Sequence, residues 1–483
     1  MNARTIFWLA GLVLGSLSLA QVPSLVMAWW LGEPWLPFVL SIALGALISA
    51  SLIIPMRRGT LGLNHRSAFI AVTTSWGVAC AFGALIYWDH PSVALHPIDA
   101  LFESASGFTA TGATILSGLD RLPRSLLLWR SITQWLGGMG FVLLGIAVFP
   151  LLGLGGMQLY KAETPGPTKD KLTPRIAETA KILWTLYLGL TVASAGLYYL
   201  GGMSLFDAIC HAMTTVATGG FSTHDLSFGF WDSGFIHLTA TVFMMLGGTS
   251  FVVLHRSLTQ GVPWGTHPEL RVYFGLFVVL SLLMAINLRV QMGEQFGNTA
   301  EALEHAAFQV ASIMTTSGFV TMDFDLWPPF CHALLLALFL CGGMAGSTSG
   351  GIKVVRLLVM VRVAFAQFFN LVHPRGYGAI KLGERTVEQD VIRAILGFIA
   401  MWLLLLGIGT ALIATFGSDL DTSLTAAAAC LGNIGPGFGE VGPSNTYLPF
   451  AGPAKLVMIS LMVLGRLEIY TALVILTPVF WRR

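Results

Sequence analysis

FESASGFTATG (residues 102–112), CHAMTTVATGG (210–220) and FQVASIMTTSG (308–318) are three versions of one stretch. Each is a short helix-forming run that gives way to small and hydroxyl residues and closes on a glycine. From Glu103, His211 and Gln309 the glycine follows nine positions later, at Gly112, Gly220 and Gly318. A fourth stretch, TAAAACLGNIGPG (425–437), matches more loosely and aligns Gly435. The intervals between the glycines are 108, 98 and 117 residues. Self-similarity at a repeated spacing is read before any local motif, because it reports the architecture.

Working outward, each stretch lies between long apolar runs. Ten runs approach the ~20 apolar residues that a spanning helix needs: roughly 5–31, 35–55, 67–88, 131–156, 181–202, 233–256, 271–292, 329–367 (interrupted), 390–415 and 449–477. Charged residues are 10% of the 483 and hydrophobic residues 55%, where soluble domains carry ~25% charged. These proportions exclude a disordered chain and disfavour a soluble enzyme. Long apolar runs also exclude an outer-membrane barrel, whose strands alternate. The first run contains Ser18-Leu19-Ala20, which resembles a signal-peptide cleavage site. Its apolar character continues to Leu31, so an uncleaved span is expected. The five cysteines (Cys80, Cys210, Cys331, Cys341, Cys430) form no CxxC and read as packing residues, not disulfides or zinc ligands.

The fold expected is therefore an all-α polytopic membrane protein. Four pseudo-repeated helix–pore loop–helix units surround one pore, after an N-terminal two-helix hairpin. The divisions are 1–60 for the hairpin, then 61–160, 161–262, 263–372 and 373–483 for the four units. With the N-terminus inside, most basic residues fall on the cytoplasmic side. Arg57, Arg58, Lys161, Lys169, Lys171, Lys353, Arg356 and Arg375 are among them. Acids such as Asp99, Asp207, Asp225 and Asp323 fall outside, where they would concentrate cations.

Irregular backbone at membrane depth is tolerated only where it is buried or lines a wet cavity. Four such loops can converge on one axis. Glycine accepts positive φ and lets a carbonyl turn, and a ring of carbonyls replaces a cation's hydration shell. The short helices aim their negative C-terminal ends at the same place. The candidate ion-binding residues are Thr111 and Gly112, Gly219 and Gly220, Ser317 and Gly318, and Ile434 and Gly435. Tight packing of small residues is the bland alternative, and it does not call for four copies in register. Adjacent glycines leave the second loop's register open by one. No loop carries Thr-Val-Gly-Tyr-Gly, so a short filter is expected.

The segment 342–351, GGMAGSTSGG, interrupts the third inner span. Glycine costs ~1 kcal/mol against alanine in a helix interior, and five occur here, so an irregular loop below the filter is expected. Its candidate gate residues are Gly342, Gly343, Gly346, Ser347, Thr348, Ser349, Gly350 and Gly351. A phosphate loop needs Gly-Lys-Ser/Thr, and Ile352 separates Gly351 from Lys353. Arg466 falls near the middle of the last apolar run. A central arginine costs at least ~2.5–3.5 kcal/mol, so it reads either as a positive charge at the cavity, with Lys353, or as half of an ion pair with another helix. Glu468, two positions on, lies on another face. Glu103 reads as an anchor for filter backbone and hydroxyls, with His211 and Gln309 in equivalent places. The polar stretches 163–178 and 373–390 are connectors or docking surfaces.

Thr218-Gly219-Gly220-Phe221-Ser222-Thr223-His224-Asp225, the third-loop glycine, Asn433-Ile434-Gly435-Pro436-Gly437 and the 342–351 segment together resemble the TrkH/TrkG/KtrB family of potassium-uptake proteins. The resemblance covers essentially the whole chain. The extra hairpin makes it more similar to the TrkH/TrkG branch. It implies K⁺ translocation through one pore per subunit, a homodimer, a bacterial inner-membrane location and a cytoplasmic nucleotide-binding partner of the TrkA type. Segment 342–351 is then the intramembrane gate. The expected function is K⁺ uptake through a gated, channel-like pore, with both termini cytoplasmic, lipid around it and no nucleic-acid partner or cofactor. K⁺ is the transported ion. An H⁺- or Na⁺-coupled symporter is the alternative. Such proteins use broken helices in inverted repeats, whereas these four units share one orientation.

Overall fold

The computed structural model describes residues 3–56, 65–151, 176–373, 380–383 and 385–482. Arg57, Arg58, Lys161, Lys169, Lys171, Arg375 and most of the 163–178 stretch lie outside the described residues. Among those described, the chain is helical, apart from a short hairpin pairing Lys381–Leu382 with Arg385–Thr386.

The N-terminal hairpin consists of Ala3–Ala20 continued by Val22–Leu31, then Leu36–Ile53. Small residues let the two arms close: Ser49 donates to the Gly11 carbonyl at 2.7 Å. The carboxylate of Glu33, in the connecting turn, accepts from the backbone N–H groups of Arg124 and Ser125. It thereby caps the first inner helix, Arg124–Leu151. This ties the hairpin to the first repeat unit.

Each unit then runs long outer helix, short helix, loop, inner helix. The outer helices are His65–Asp89, Ile176–Leu200, Pro268–Gln291 and Gln389–Ala414. The short helices are Pro97–Phe108, Leu205–Val216, Thr299–Met314 and Leu420–Gly432. At 12 to 16 residues they are too short to cross a bilayer. Every one starts with a side-chain cap: His96, Ser204, Asn298 and Asp419 accept from the N–H two or three residues on. Each also carries an acid in its first turn, Asp99, Asp207, Glu301 or Asp421, matching the positive end of the dipole. Sequence thus fixes the start of each short helix, and the glycine loop ends it.

Among the described residues, seven helices are long and apolar enough to cross a membrane, or up to nine if two bent pairs each count as one. Helices occupy the ten expected runs as far as those runs are described, fewer than ten meet the length and hydropathy of a full span, and two runs need correction. The second inner span is Gly234–Gly247 followed by Phe251–Gln260, bent by 100°. The last is Gly452–Arg466 followed by Tyr470–Leu476, bent by 117°. Gly247 and Gly248 start the first bend, and positive φ at Glu468 and Ile469 makes the second. Arg466 is consequently the last residue of a helix, not the middle of one. The third inner span is Pro329–Phe339 and Val354–Val372 with the glycine-rich segment between them. All five cysteines are buried and free.

Candidate functional site

The four glycine loops repeat one backbone conformation. Ala110, Thr218, Thr316 and Asn433 have φ of 52°, 51°, 58° and 54°. Two residues later Gly112, Gly220, Gly318 and Gly435 have φ of 85°, 86°, 74° and 107°. Positive φ is unusual for a side-chain-bearing residue, yet it recurs here in register. The intervening residue donates its N–H back into its short helix each time. Thr111 bonds to Ser106, Gly219 to Thr214, Ser317 to Ser312 and Ile434 to Ala429, at 2.8–2.9 Å. This pattern aligns Gly220, not Gly219, with the other three glycines.

The loops close into a ring. A Cβ on Gly112 would strike the Gly219 carbonyl, one on Gly220 the Ser317 carbonyl, and one on Gly318 the Ile434 carbonyl; one on Gly435 would press on the Thr111 carbonyl. Each loop's glycine therefore lies against the next loop's carbonyl, all the way round. The eight residues singled out from sequence are brought together by this ring. Glycine is required at these four positions for two reasons, positive φ and the neighbour's oxygen.

Buried polar groups hold the ring from behind. Glu103 and Arg130 pair at 2.9 Å and are 0% and 1% exposed. Glu103 also accepts from the Ile115 N–H and the Thr114 hydroxyl at 3.0 Å. Arg130 reaches across to the Ser222 carbonyl at 3.0 Å and lies over the Phe221 ring. Glu103 is the anchor that was expected. In the second unit His211 bonds Ser222 Oγ at 3.0 Å. The third unit differs: the Gln309 amide has no hydrogen-bond partner among the described residues, and Ser312 donates to the Phe319 carbonyl instead. Gln309 is thus not the anchor its position suggested. Tyr447 closes the fourth loop onto the first, its hydroxyl donating to the Gly435 carbonyl and its N–H to the Thr114 carbonyl.

Outside the ring, His224 sits between two carboxylates. Its Nδ1 contacts Asp120, and its Nε2 is 3.5 Å from Asp207 Oδ1. Its ring stacks on Phe230 with centroids 3.6 Å apart. Burial lowers the His224 pKa, but the Asp207 and Asp120 carboxylates outweigh it and hold the pKa above the ordinary histidine value. Burial likewise opposes ionisation of Asp207. Its hydrogen bonds with His224, Ser204 and Thr223 win, and its pKa falls below the usual carboxylate range.

On the other side of the ring lies segment 342–351. It is an ordered plug, cross-linked to three units. Thr348 Oγ1 donates to the Val216 and Gly247 carbonyls at 3.1 and 3.0 Å. The Gly350 N–H donates to Thr316 Oγ1 at 2.7 Å, and the Gly343 N–H to Ser349 Oγ at 3.1 Å. The Met344 N–H bonds the Gly248 carbonyl, and the Gly346 carbonyl accepts from Phe251. Ser347 Oγ pairs with Ser349 Oγ. Gly342 and Gly351 meet at the loop's ends. Thr218 Oγ1 donates to Thr348 Oγ1 at 3.2 Å, and since Thr218 and Thr316 belong to the glycine loops, the plug sits directly against them.

Arg466 NH1 donates to the Thr348 carbonyl at 2.8 Å. Its NH2 donates to the carbonyls of Gly137 and Gly138 on the first inner helix. Among the described residues it has no carboxylate partner within ion-pair distance; Glu468 pairs with Arg356 at 2.7 Å. Lys353 Nζ donates to the Ser349 carbonyl, a contact within the plug. Lys353 and Arg356 are buried, 5% and 6% exposed, unlike the loop charges they were grouped with.

Sequence reading missed Arg130, which looked like the ordinary polar start of an apolar run. It also missed Glu269, whose carboxylate accepts from the plug's Ala345 N–H at 2.9 Å. It missed Gln134, whose amide bonds the second glycine loop. A lone glutamine in an apolar span facing a double glycine was the available signal. Among the described residues no group of three or more His, Cys, Asp or Glu could hold a metal ion.

The TrkH family, described as a cation transport protein, matches over residues 37–481. The Trk system potassium uptake protein TrkH of Vibrio parahaemolyticus is 40% identical over the whole of both chains. That of Escherichia coli K12 is 40% identical, covering 92% of this chain and 91% of its own. The Trk system potassium uptake protein TrkG of E. coli K12 is 33% identical over 100% of this chain and 99% of its own. The crystal structure of the potassium transporter TrkH from V. parahaemolyticus superposes with a TM-score of 0.90 at 37% identity, covering both chains completely.

Proposed function

The chain belongs to the TrkH family of cation transport proteins, and from that premise we propose that it takes up potassium through a channel-like pore made by its four glycine loops. It is a polytopic helical membrane protein and a transporter, not an enzyme. The single observation that carries the pore reading is the ring in which each loop's glycine lies against the next loop's carbonyl. Carbonyl oxygens in a closed ring suit a dehydrated monovalent cation, and the four short-helix C-termini add negative potential.

On this reading Thr111, Gly112, Gly219, Gly220, Ser317, Gly318, Ile434 and Gly435 form the selectivity filter. Segment 342–351 is the gate, held shut here by its bonds to the loops and by Arg466. These relatives from V. parahaemolyticus and E. coli carry the name Trk system potassium uptake protein, which supports K⁺ as the ion. It also supports a partnership with a cytoplasmic nucleotide-binding regulatory subunit of the TrkA type that opens the gate. The subunit acts as a homodimer in the bacterial inner membrane, with both termini cytoplasmic.

Single-channel recording in bilayers with asymmetric K⁺ tests the mechanism. Discrete unitary currents reversing near the K⁺ potential are expected. Flux that follows an H⁺ or Na⁺ gradient with no unitary conductance would replace the channel by a symporter.

A further inference from the structure

Of the four residues that precede the ring glycines, three carry a side chain: Thr111, Ser317 and Ile434. Thr111 Oγ1 is 2.7 Å from Thr109 Oγ1 and accepts from Asn433 Nδ2 at 3.0 Å. Ser317 Oγ is 2.8 Å from Thr315 Oγ1. Ile434 fills its place with a fully buried hydrocarbon. The second loop has Ala217 and Gly219 at the corresponding positions and so lacks a side chain of its own there.

The space is not empty. A Cβ on Gly219 would run into the carboxamide of Gln134, which reaches in from the first inner helix. Gln134 Nε2 donates to the Gly219 carbonyl at 2.5 Å, and its Oε1 accepts from the Phe221 N–H at 2.9 Å. The two contacts fix which end of the amide is which, because one partner only accepts and the other only donates. The pair brackets Gly220, the ring glycine. Gln134 is 0% exposed.

The inner helices show what is particular about this residue. Gly137, Gly247 and Gly465 each approach a short-helix carbonyl four residues before a ring glycine: Phe108, Val216 and Leu431. They are therefore equivalent, and three positions earlier stand Gln134, Met244 and Met462. The amide occurs on the one inner helix of these three that lies behind the loop with no side chain.

We infer that Gln134 is a selectivity-positioning residue: its amide stands in for the missing filter side chain at Gly219 and sets the orientation of the second loop's carbonyls. The inference rests on the filter reading proposed above. Ion discrimination requires all four strands to hold their carbonyls at one distance from the axis, and the second strand owes its hold to a neighbouring unit. Gln134 and Gly219 then form one functional pair, each incompatible with change in the other alone.

The test uses the full-length protein in bilayers and proteoliposomes, reading the K⁺/Na⁺ permeability ratio from reversal potentials and normalising flux to folded protein. Gln134→Met keeps the volume and places there the residue that the equivalent helices already carry, so folding is preserved while both hydrogen bonds go. The ratio is expected to fall about tenfold, the scale of one or two buried hydrogen bonds. Gln134→Ala behaves likewise. Gly219→Ala alone also lowers the ratio, because its Cβ meets the amide, but adds no further loss in the Gln134→Ala background. A wild-type ratio in both Gln134 variants, with a lowered ratio in Gly318→Ser, overturns the inference and leaves the filter reading standing. Reduced folded yield with a wild-type ratio in the folded fraction makes Gln134 merely structural and overturns it too. An unchanged ratio in Gly318→Ser as well defeats the filter reading itself.

Discussion

Arg466 and Thr348, 118 residues apart, are joined by a 2.8 Å hydrogen bond from a guanidinium nitrogen to a carbonyl of the glycine-rich plug. The same guanidinium holds Gly137 and Gly138 of the first inner helix, so one side chain pins the plug to the opposite wall. Its charge also opposes a passing cation, by roughly 4 kcal/mol at about 4 Å and an effective dielectric near 20, before screening. Arg466→Ala removes the pin and the charge together, and Rb⁺ uptake per folded protein is expected to rise about tenfold. Arg466→Lys keeps the charge but cannot span three carbonyls with one compact ammonium, so its uptake falls between the two. Lower specific uptake in Arg466→Ala would refute this account.

The plug's ends are tied to each other, Gly342 N–H to the Ile352 carbonyl at 2.7 Å and Val354 N–H to the Gly343 carbonyl at 3.1 Å. The loop between Gly343 and Gly350 can therefore be shortened without parting the two halves of the inner span. Trimming it is expected to raise Rb⁺ uptake several-fold in vesicles that lack any cytoplasmic partner. Thr348→Val, which keeps shape but drops the bonds to Val216 and Gly247, raises it less. Normally inserted protein with no increase would remove the gate assignment.

Gly318→Ser places a side chain against the Ile434 carbonyl and asks a serine to hold φ of 74°. Both effects distort the ring where it meets the fourth loop. The K⁺/Na⁺ permeability ratio is expected to drop by about tenfold or more, while folded yield stays measurable. Reversal potentials in mixed K⁺ and Na⁺ decide it.

The architecture was legible because the backbone constraint is periodic. A short helix that must stop at a glycine leaves its mark four times, and the family resemblance rests on the same residues. The plug was legible for a related reason: five glycines in ten residues cannot continue a helix. What escaped was the chemistry between residues far apart in the chain. Arg130 contacts Glu103 from 27 residues away, Gln134 contacts Gly219 from 85, and Glu269 contacts Ala345 from 76. No local spacing encodes such pairs. Gln309 shows the converse, since its alignment with Glu103 was real and the hydrogen bonding did not follow. The bends at Gly247 and Glu468 were hidden because apolar helix resumes within a few residues of each.

Glu103 and Arg130 form a buried pair whose remaining valences are filled by Thr114, Ile115 and Ser222. Removing one member leaves the other's charge uncompensated, at a cost of about 3–5 kcal/mol. Arg130→Ala is expected to lower thermal stability sharply in detergent and to reduce folded yield. Glu103→Gln/Arg130→Met, which removes both charges and keeps the volume, recovers much of that loss. Equal stability of the single and double variants would show that the pair is not coupled.

His224 links the outer ends of two units through Asp120 and Asp207, with the Asp225 carboxylate nearby holding the Leu119 N–H and buried His211 beneath. Its pKa is raised in the folded protein, by the two carboxylates acting against burial. A raised pKa means stability that is fully present below the unfolded histidine value of about 6.5 and lost as pH rises through the folded value. The carboxylates have lowered pKa values, so their contribution is present above about pH 4 and is lost only as pH falls through still lower values. Between about pH 5.5 and about pH 8.5, among His224, Asp120 and Asp207 only the histidine changes charge. The wild-type melting temperature is therefore expected to be higher at the acid end by about a degree or two, the scale of a partly exposed ion pair in a chain of this size. His224→Gln keeps a polar planar side chain against Phe230 but cannot gain a proton, and its melting temperature should lose that dependence. A variant whose acid-to-alkaline difference equals that of the wild type would assign the pH response to other groups.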